Sequence, residues 1–473
     1  MQVGNNFSIP IAINNDLYRQ PLAMAIKYYY YNRASTALSK EHAGIYARQA
    51  GHPDDKVNIH ASAASKQRPE NTVISSPKGW YDAGDYNKYI VNSNITVYSM
   101  LLAWEDYQHI FSNLELGIPE SGNDVPDLLD EAKWNIDWML TMQDPNDGGV
   151  YHKLTTRKFT PLGNMPHTMT QPRYVLSKST AATLGFAAVM AQASRVYKPF
   201  DDQFPGFSDR LLKAAEKAWQ WSIKQPDIRY HQPKDIKTGE YAQRDRSLND
   251  EWLWAAAELF ISTNGERYLN KIQVPASLEV SEWSDVETLA VLALARHPSE
   301  TPELQKEAAT AVHDLIDGWQ KLEQTSAYRA GIEKKDFRWG SSGVLLNKAM
   351  TLLRMNKIMP DESYVTSAHH LVDYVLGRNP LDLSFITGLG TNQVMNIHHR
   401  VSIADAIDAP IPGGVVGGAQ PAQQDKGACE GEGVAYPSNQ PALSYVDHTC
   451  SFASNEVAIN WNAPLIYVLA AMQ

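Results

Sequence analysis

The stretch VPDLLDEAKWNIDWML, residues 125–140, carries the pattern that decides the fold class. Its apolar side chains recur every three or four residues, which places them on one face of an α-helix. They are Val125, Leu128, Leu129, Ala132, Ile136, Met139 and Leu140. The same spacing predicts ten further helices, near residues 20–38, 90–112, 178–197, 208–224, 248–263, 284–297, 302–322, 342–358, 362–377 and 463–472.

Long segments rich in Gly, Pro and aromatic residues separate these helices, and alternating strand patterns are rare. Examples are Asn58 to Tyr81, Asp144 to Tyr174 and Phe385 to Ser454. Long loops in a compact domain are usually functional. The pattern therefore predicts an all-α barrel of paired helices whose loops build a groove at one end. Because no Ser/Gly-rich linker divides the chain, we expect one domain over residues 19–473, preceded by an N-terminal arm or linker remnant at 1–18.

Composition excludes several classes of partner. The 473 residues are 43% hydrophobic and carry a formal net charge of -11, which opposes binding to nucleic acid or to anionic lipid. The apolar run Pro464 to Met472 is far shorter than the ~20 residues that span a bilayer. Met1 to Pro10 lack a secretory signal pattern, as would the mature form of a secreted or periplasmic protein, which is the form we expect. We also expect a monomer.

The two cysteines, Cys429 and Cys450, both lie near the C-terminus. Their spacing fits neither a CxxC redox pair nor a complete zinc site. A disulfide between them and two free thiols are both compatible with the sequence.

Two carboxylates stand three residues apart in the loop Gly79-Trp80-Tyr81-Asp82-Ala83-Gly84-Asp85-Tyr86. Such a loop can hold one water molecule between two acceptors. An alternative is a turn in which Asp82 and Asp85 cap backbone N–H groups.

A second candidate loop contains Glu456, a single carboxylate among aromatic residues. Pro464 predicts that the last helix starts at Asn462 or Ala463, just after Glu456. Desolvation against aromatic rings would raise the pKa of this carboxyl, as a general acid requires. Glu456 could equally be a surface residue of a capping turn.

Three motifs together resemble family 9 of the glycoside hydrolases, whose members are mostly cellulases. The first is the DAGD loop, Asp82 to Asp85. The second runs from Ser384 through Gly390 to His398-His399-Arg400. The third is formed by Tyr445, Asp447, Phe452, Glu456, Asn462 and Ala463.

The resemblance runs from residue 79 to 463 and implies an (α/α)6 barrel and a set of roles. Asp85 would be the general base, Asp82 would help to hold the water, and Glu456 would be the general acid. His398 and Arg400 would bind sugar hydroxyls, and Asp447 would orient the loop of the acid. Further substrate-binding candidates are Trp339, Trp283, Tyr86 and His152, of which Trp and His can equally be core residues.

Family members can also hold metal ions. Asp250, Glu251 and Asp285 resemble part of a calcium site, but Arg246-Ser247 replace the family's Ser-Gly. Hard oxygen ligands suit calcium, whereas Arg246 could instead form an ordinary ion pair with Asp250. A structural calcium ion is therefore possible, and no cofactor is needed for the chemistry.

A zinc site near the DAGD loop is also found in some members. In that neighbourhood the chain has His42, His52, Asp55 and His60 but no cysteine. A closed Cys-containing zinc site is therefore absent, and we expect solvated loop histidines.

The predicted reaction is hydrolysis of β-1,4-glucosidic bonds in cellulose or a related β-glucan, with inversion at the anomeric carbon. Endo action is expected. The alternatives are an exo-acting enzyme releasing glucose, cellobiose or glucosamine units, and a non-catalytic glucan-binding barrel. Gly343-Val344 stand where the family often has Arg-Tyr, so one subsite is rebuilt.

Overall fold

The computed structural model describes residues 16–243, 246–297 and 301–473, and the short strands Gln2–Val3 and Asn6–Phe7. Helices dominate this part of the chain. They are α1 (Arg19–Tyr31), α2 (Lys40–Ala43), α3 (Ile90–Phe111), α4 (Asp127–Thr141), α5 (Thr180–Tyr197), α6 (Phe207–Lys224), α7 (Asn249–Thr263), α8 (Glu287–Arg296), α9 (Pro302–Thr325), α10 (Ser341–Ile358), α11 (Glu362–Val375), α12 (Arg400–Ala404), α13 (Lys426–Gly431) and α14 (Ile459–Ala471).

An inner ring is formed by α3, α5, α7, α8, α10 and α14, each in contact with the next, and α14 closes the ring against α3. Outside it, α1, α4, α6, α9 and α11 pack on α14, α3, α5, α8 and α10 respectively. A 3-10 segment, Glu266–Lys271, packs on α7 at the remaining outer position. The predicted (α/α)6 barrel is confirmed, and the short segment explains why the helical pattern marks only eleven long helices.

Inner and outer helices differ in how they are buried. Helix α5 buries every residue except Arg195, and its many Ala residues allow close approach of its neighbours. Helix α6 buries only one face, which contains Leu211, Ala215 and Trp219. A helix that is apolar all round needs neighbours on every side, whereas an amphipathic helix can cover the outside of a ring.

A small sheet at one end of the barrel has no counterpart in the sequence pattern. The chain first forms a separate hairpin of β1 (Gln2–Val3) and β2 (Asn6–Phe7). The small sheet then contains β3 (Val57–Ile59), β4 (Val73–Ile74), β5 (Lys88–Tyr89), β6 (Lys153–Thr155) and β7 (Arg173–Val175). The strand order is β4-β3-β7-β6-β5, with β3 and β7 parallel. Strands of two or three residues are too short to show an alternating pattern of apolar and polar residues, so they could not be predicted from the sequence.

Two predicted helix ends are wrong. Helix α1 stops at Tyr31 rather than near residue 38, and Ser35 beyond it adopts a left-handed φ of 65° that a helix cannot contain. Helix α14 begins at Ile459, and Pro464 lies inside it. Because proline lacks an N–H, this helix lacks the bond that residue 464 would otherwise donate to the carbonyl of Asn460.

Cys429 and Cys450 form a disulfide, which resolves the alternative that the sequence left open. No helix among the described residues combines the length and apolarity needed to cross a bilayer. The predicted N-terminal arm lies mostly outside the described residues.

Candidate active site

A cleft of about 750 Å³ opens where the N-terminal ends of α3, α10 and α14 meet. Seven of the residues singled out from the sequence line it: Asp82, Asp85, Trp283, Trp339, His398, Arg400 and Glu456. They come from loops that are far apart in sequence. The inner ring brings them together because these helices present the same end to the cleft.

Asp85 is held by one of its two carboxylate oxygens. Oδ2 accepts hydrogen bonds from the Asn87 amide at 2.5 Å and from the Tyr89 hydroxyl at 3.1 Å. Oδ1 is buried and has no hydrogen-bond partner among the described residues. Burial raises the pKa of Asp85, and the positive charge of Arg400 opposes this shift. The carboxylate is therefore fixed in orientation with one oxygen free to accept a proton.

Asp82 lies beside Asp85 and is held through both oxygens. Asn92 donates to Oδ1 at 2.7 Å, and the Tyr241 hydroxyl donates to Oδ2 at 2.8 Å. Burial, followed by the negative charge of Asp85, raises the pKa of Asp82 to about 8. Two neighbouring carboxyls cannot easily ionise together, so Asp82 favours its protonated form when Asp85 carries the charge.

Glu456 faces the same cleft from the loop before α14. Loss of solvent around its carboxyl, followed by the negative charge of Asp85, raises its pKa well above the usual value for Glu. The backbone N–H of Gly84 donates to its Oε1 at 3.2 Å. This carboxyl therefore tends to keep its proton, as a general acid must.

Gly84 joins the two catalytic loops. Its carbonyl accepts hydrogen bonds from the backbone N–H and the Nη1 of Arg400, at 3.1 and 2.6 Å. A Cβ on Gly84 would lie 2.1 Å from the carbonyl oxygen of His398 and 3.0 Å from Oε1 of Glu456. The glycine of the DAGD motif is therefore required by close approach.

His398 is held in one tautomer. Its Nδ1 lies 2.6 Å from the carbonyl oxygen of Thr449, so this nitrogen carries the proton and Nε2 is left as an acceptor. Burial lowers its pKa to about 4, which keeps the ring neutral at neutral pH. Arg400 beside it donates from Nε to the carbonyl of Thr160 at 2.6 Å.

Aromatic side chains line the cleft walls. Trp339 is 40% exposed, and its ring lies 5.6 Å from that of Phe452. Trp283 stands edge-on to Tyr241 at 5.0 Å. Phe159, which the sequence analysis missed, is 43% exposed and lies under the guanidinium of Arg400 at 5.5 Å. No motif marks Phe159, because only the fold brings its loop to the cleft.

The whole chain matches known proteins with the same arrangement. The family model for glycosyl hydrolase family 9 matches residues 18–469. The chain belongs to glycoside hydrolase family 9. It is therefore a glycoside hydrolase, and the resemblance found in its three motifs is confirmed.

Individual relatives are similar over nearly the full chain. A xyloglucan-specific endo-beta-1,4-glucanase, BoGH9A of Bacteroides ovatus, is 41% identical over 99% of this chain and 81% of its own. Endoglucanase D of Acetivibrio thermocellus is 34% identical over 99% of this chain and 71% of its own. The solved structure of AaCel9A in complex with cellobiose-like isofagomine has a TM-score of 0.87 at 33% identity, and the match covers 98% of this chain and 85% of that one.

Three residues singled out from the sequence, Tyr86, His152 and Asp447, do not line the cleft. Tyr86 is buried and donates to the carbonyl of Asn164 at 2.7 Å. His152 is buried, stacks on Tyr230, and has both ring nitrogens in hydrogen bonds. Neither side chain has a polar group left for a sugar.

Asp447 is the third residue outside the cleft. Its carboxylate accepts hydrogen bonds from the backbone N–H groups of Met395 and Asn396 at 2.9 and 2.8 Å. It also accepts from the amide of Asn455, the neighbour of Glu456, at 3.1 Å. Its contacts therefore fix the loops on either side of the acid rather than a ligand.

The acidic residues predicted to bind calcium lie near the start of α7 and α8. Glu251 is buried beside Asp250 and Gln243, and among the described residues its oxygens make no hydrogen bond with standard geometry. Burial and the charge of Asp250 raise the pKa of Asp285 to about 6. Within the described ranges, no three His, Cys, Asp or Glu side chains converge as a metal-binding group. Arg246 approaches Asp285 at 3.8 Å.

Two of the three histidines considered for zinc, His52 and His60, are not solvated loop residues, contrary to the expectation, whereas His42 is partly exposed. His52 is buried, and its Nδ1 lies 2.9 Å from the Tyr81 hydroxyl. His60 is also buried and contacts Ser62 and Asp235. Both rings make ordinary hydrogen bonds with neighbouring side chains.

Proposed function

We propose that this hydrolase is an endo-acting, inverting β-1,4-glucanase with Asp85 as general base and Glu456 as general acid. The observation that carries the proposal is the pairing of a base with one free oxygen and a desolvated acid, joined through Gly84. The printed names of both relatives describe endo-acting glucanases.

The chemistry follows from these positions. Asp85 takes a proton from water through Oδ1 while the water oxygen bonds to the anomeric carbon. Glu456 gives its proton to the glycosidic oxygen as the bond between that oxygen and the anomeric carbon breaks. Because the water attacks from the side opposite the leaving group, a β-linkage gives an α-product. Asp82, whose raised pKa favours the protonated form, helps to hold the water and limits the negative charge beside Asp85.

We infer that a branched β-1,4-glucan such as xyloglucan is accepted. Gly343 and Val344, which stand where the family often has Arg-Tyr, line the cleft. The ring of Trp461 occupies the space beside them, since a Cβ on Gly343 would lie 2.4 Å from its Cδ1. This wall offers a flat ring and no long side chains, which leaves room for substituents on the glucan backbone. The name of the Bacteroides ovatus relative supports this substrate class.

Product analysis tests the proposal. The enzyme is incubated with carboxymethylcellulose, xyloglucan and cello-oligosaccharides, with Asp85→Asn as the inactive control. We expect rapid loss of viscosity on at least one polymer and an α-anomer as the first product in proton NMR. Release of a single short sugar would mean exo action, a β-anomer would overturn the role of Asp85, and no turnover of any β-glucan would indicate a binding protein.

We also propose that Asp250, Glu251 and Asp285 contribute to a structural calcium site; because these three carboxylates do not converge within the described residues, backbone carbonyls or water would supply most of the ligands. Support comes from the buried carboxyl of Glu251 beside Asp250 and from the raised pKa of Asp285, since a hard cation would compensate these crowded acidic groups. Calcium should raise the Tm of the wild type over that in EDTA, and Glu251→Gln should abolish the difference. Equal Tm values for the wild type would favour neutralisation of Asp285 by Arg246.

The disulfide supports action outside the reducing cytoplasm, in the periplasm or after secretion, because disulfides persist in oxidising compartments. A monomer remains a prediction, which light scattering would test.

A further inference from the structure

Asn87 lies directly behind the catalytic base and does not line the cleft. It is buried, with 2% of its surface exposed. Its amide group connects Asp85, on one side, to strand β6 and its following residue, on the other. The roles implied by the family motifs give it no function.

The orientation of the Asn87 amide is fixed by its partners. Its Oδ1 accepts the backbone N–H of Thr156 at 3.0 Å and the hydroxyl of Thr155 at 3.0 Å. A backbone N–H can only donate, so the oxygen of the amide must face β6. The NH2 group therefore faces Asp85, and it donates to Oδ2 at 2.5 Å.

This contact decides which oxygen of Asp85 is free. Oδ2 is occupied by Asn87 and Tyr89, whereas Oδ1 has no partner among the described residues. Without the amide, only the Tyr89 hydroxyl would hold the carboxylate, and the side chain could turn about its χ2 torsion. Strand β6 is fixed by its antiparallel pairing with β5, in which Tyr89 lies opposite Lys153.

We propose that Asn87 is a positioning residue that transmits the rigidity of β6 to the general base and reserves Oδ1 of Asp85 for the attacking water. This proposal rests on the proposed function, in which Asp85 is the base. It gives the small sheet a role in the reaction: the sheet aligns the base with the water.

The charge environment of Asp85 predicts a pH signature. The donor of Asn87 lowers the pKa of Asp85, although burial has the larger, opposite effect. Losing this donor should move the acid limb of kcat/KM to higher pH. The other titratable or charged groups facing Asp85 are unchanged by the substitution: Asp82, Tyr89, Lys153, Arg400 and Glu456.

The test uses Asn87→Asp, which keeps the size of the side chain and the acceptor facing β6 but replaces the donor to Asp85. We expect kcat on cellotetraose to fall by about ten- to a hundredfold, as for a small misplacement of a catalytic group, with KM within about twofold. The acid limb should shift to higher pH. Asn87→Ala, which adds no charge, should lower kcat in the same way if Asn87→Asp fails to fold.

An activated substrate, dinitrophenyl β-cellobioside, locates the defect. Its leaving group departs without a proton, so it does not need Glu456 but still needs the base. The Asn87 variants should lose equal factors on both substrates, whereas the control Glu456→Gln should recover on the activated one. Recovery of the Asn87 variants there, or an unchanged kcat and pH profile, would overturn the proposal.

Thr155→Val is the matched comparison, because it removes a hydroxyl that contacts the Asn87 amide oxygen. It removes one of the two bonds that hold the Asn87 amide and leaves the Thr156 N–H bond and the Asp85 bond in place, so kcat should fall by less than in Asn87→Asp. A loss as large as in Asn87→Asp would overturn the specific role of the Asp85 bond. Wild-type enzyme inactive on every β-glucan would instead refute the proposed function itself.

Discussion

The two ends of α3 bury carboxylates in opposite ways. Before its first turn lie Asp82 and Asp85, and no ion pair to either of them, or to Glu456, occurs among the described residues. In its last turns lie Glu105 and Asp106, about 22 Å away at the rise of an α-helix. There Arg195 and Arg296 lie 3.4 and 3.2 Å from the two carboxylates.

The comparison shows that carboxyl side chains serve two purposes in this protein, structural pairing at one end and acid–base chemistry at the other. A buried charge with an opposite partner is compensated, and breaking the pair is costly. A buried carboxyl without such a partner keeps a raised pKa, which is what acid–base chemistry requires. We expect the cleft end to tolerate neutral substitutions without loss of stability, while the other end tolerates them without loss of catalysis.

Asp85→Asn should produce the largest effect. An amide cannot take a proton from water, so kcat should fall by about 10²- to 10⁴-fold while Tm stays at or above that of the wild type. The matched variant at the other end, Asp106→Asn, should lower Tm and retain kcat. Kinetics on cellotetraose with thermal melts of both proteins check this, and turnover near wild type in Asp85→Asn would remove the base assignment.

Arg195→Met should produce the next largest effect, on stability alone. Arg195 donates to Glu258 at 2.6 Å, and Glu258 is buried, so its loss leaves a buried charge without a partner. The free energy of unfolding should fall by about 3 kcal/mol in urea titrations. Lys321→Met, which breaks an exposed pair, should cause no measurable loss. Equal stability of the two variants would mean that the buried pair is not compensating.

The pH dependence of stability should distinguish a buried carboxyl without an ion pair from a paired one. The pKa of Asp82 is about 8 when folded and about 4 when unfolded, so the folded state binds more protons between these values. Its contribution therefore falls as pH rises from about 4 to 8, and Asp82→Asn should flatten this slope.

The contribution of Asp144 to stability changes with pH in the opposite direction. It is paired with Lys178, and its pKa is lowered to about 2. Its contribution is present above about pH 4 and is lost as pH falls towards 2. Urea titrations at pH 2.5, 5 and 8 check both signs, and an unchanged slope between pH 5 and pH 8 in Asp82→Asn would contradict the burial assigned to it.

Trp339→Ala should give the smallest effect. Its ring is 40% exposed in the cleft, so we expect weaker binding of long oligosaccharides by about 1 kcal/mol, which is roughly fivefold in KM. Tm should change little. A lowered Tm with unchanged KM would instead assign the ring to the core.

The sequence by itself determined the helical pairing and the identity of the catalytic loops. The apolar spacing in residues 125–140 and its repeats define helices because burial of one face leaves a period in the sequence. The DAGD motif and Glu456 were recognisable because each is a short local pattern. The start of α14 was misplaced because tertiary contacts override the preference of proline for a first turn.

Only the tertiary structure decided how these residues work together. The contrast between the two ends depends on burial and on partners distant in sequence, such as Arg195 for Glu105 and Arg296 for Asp106. The small sheet and the position of Phe159 could not be predicted from the sequence. Very short strands and single loop contacts produce no periodic pattern of apolar residues. Side chains such as His152 and Tyr86 were predicted to touch sugar because a sequence does not show which direction a side chain faces.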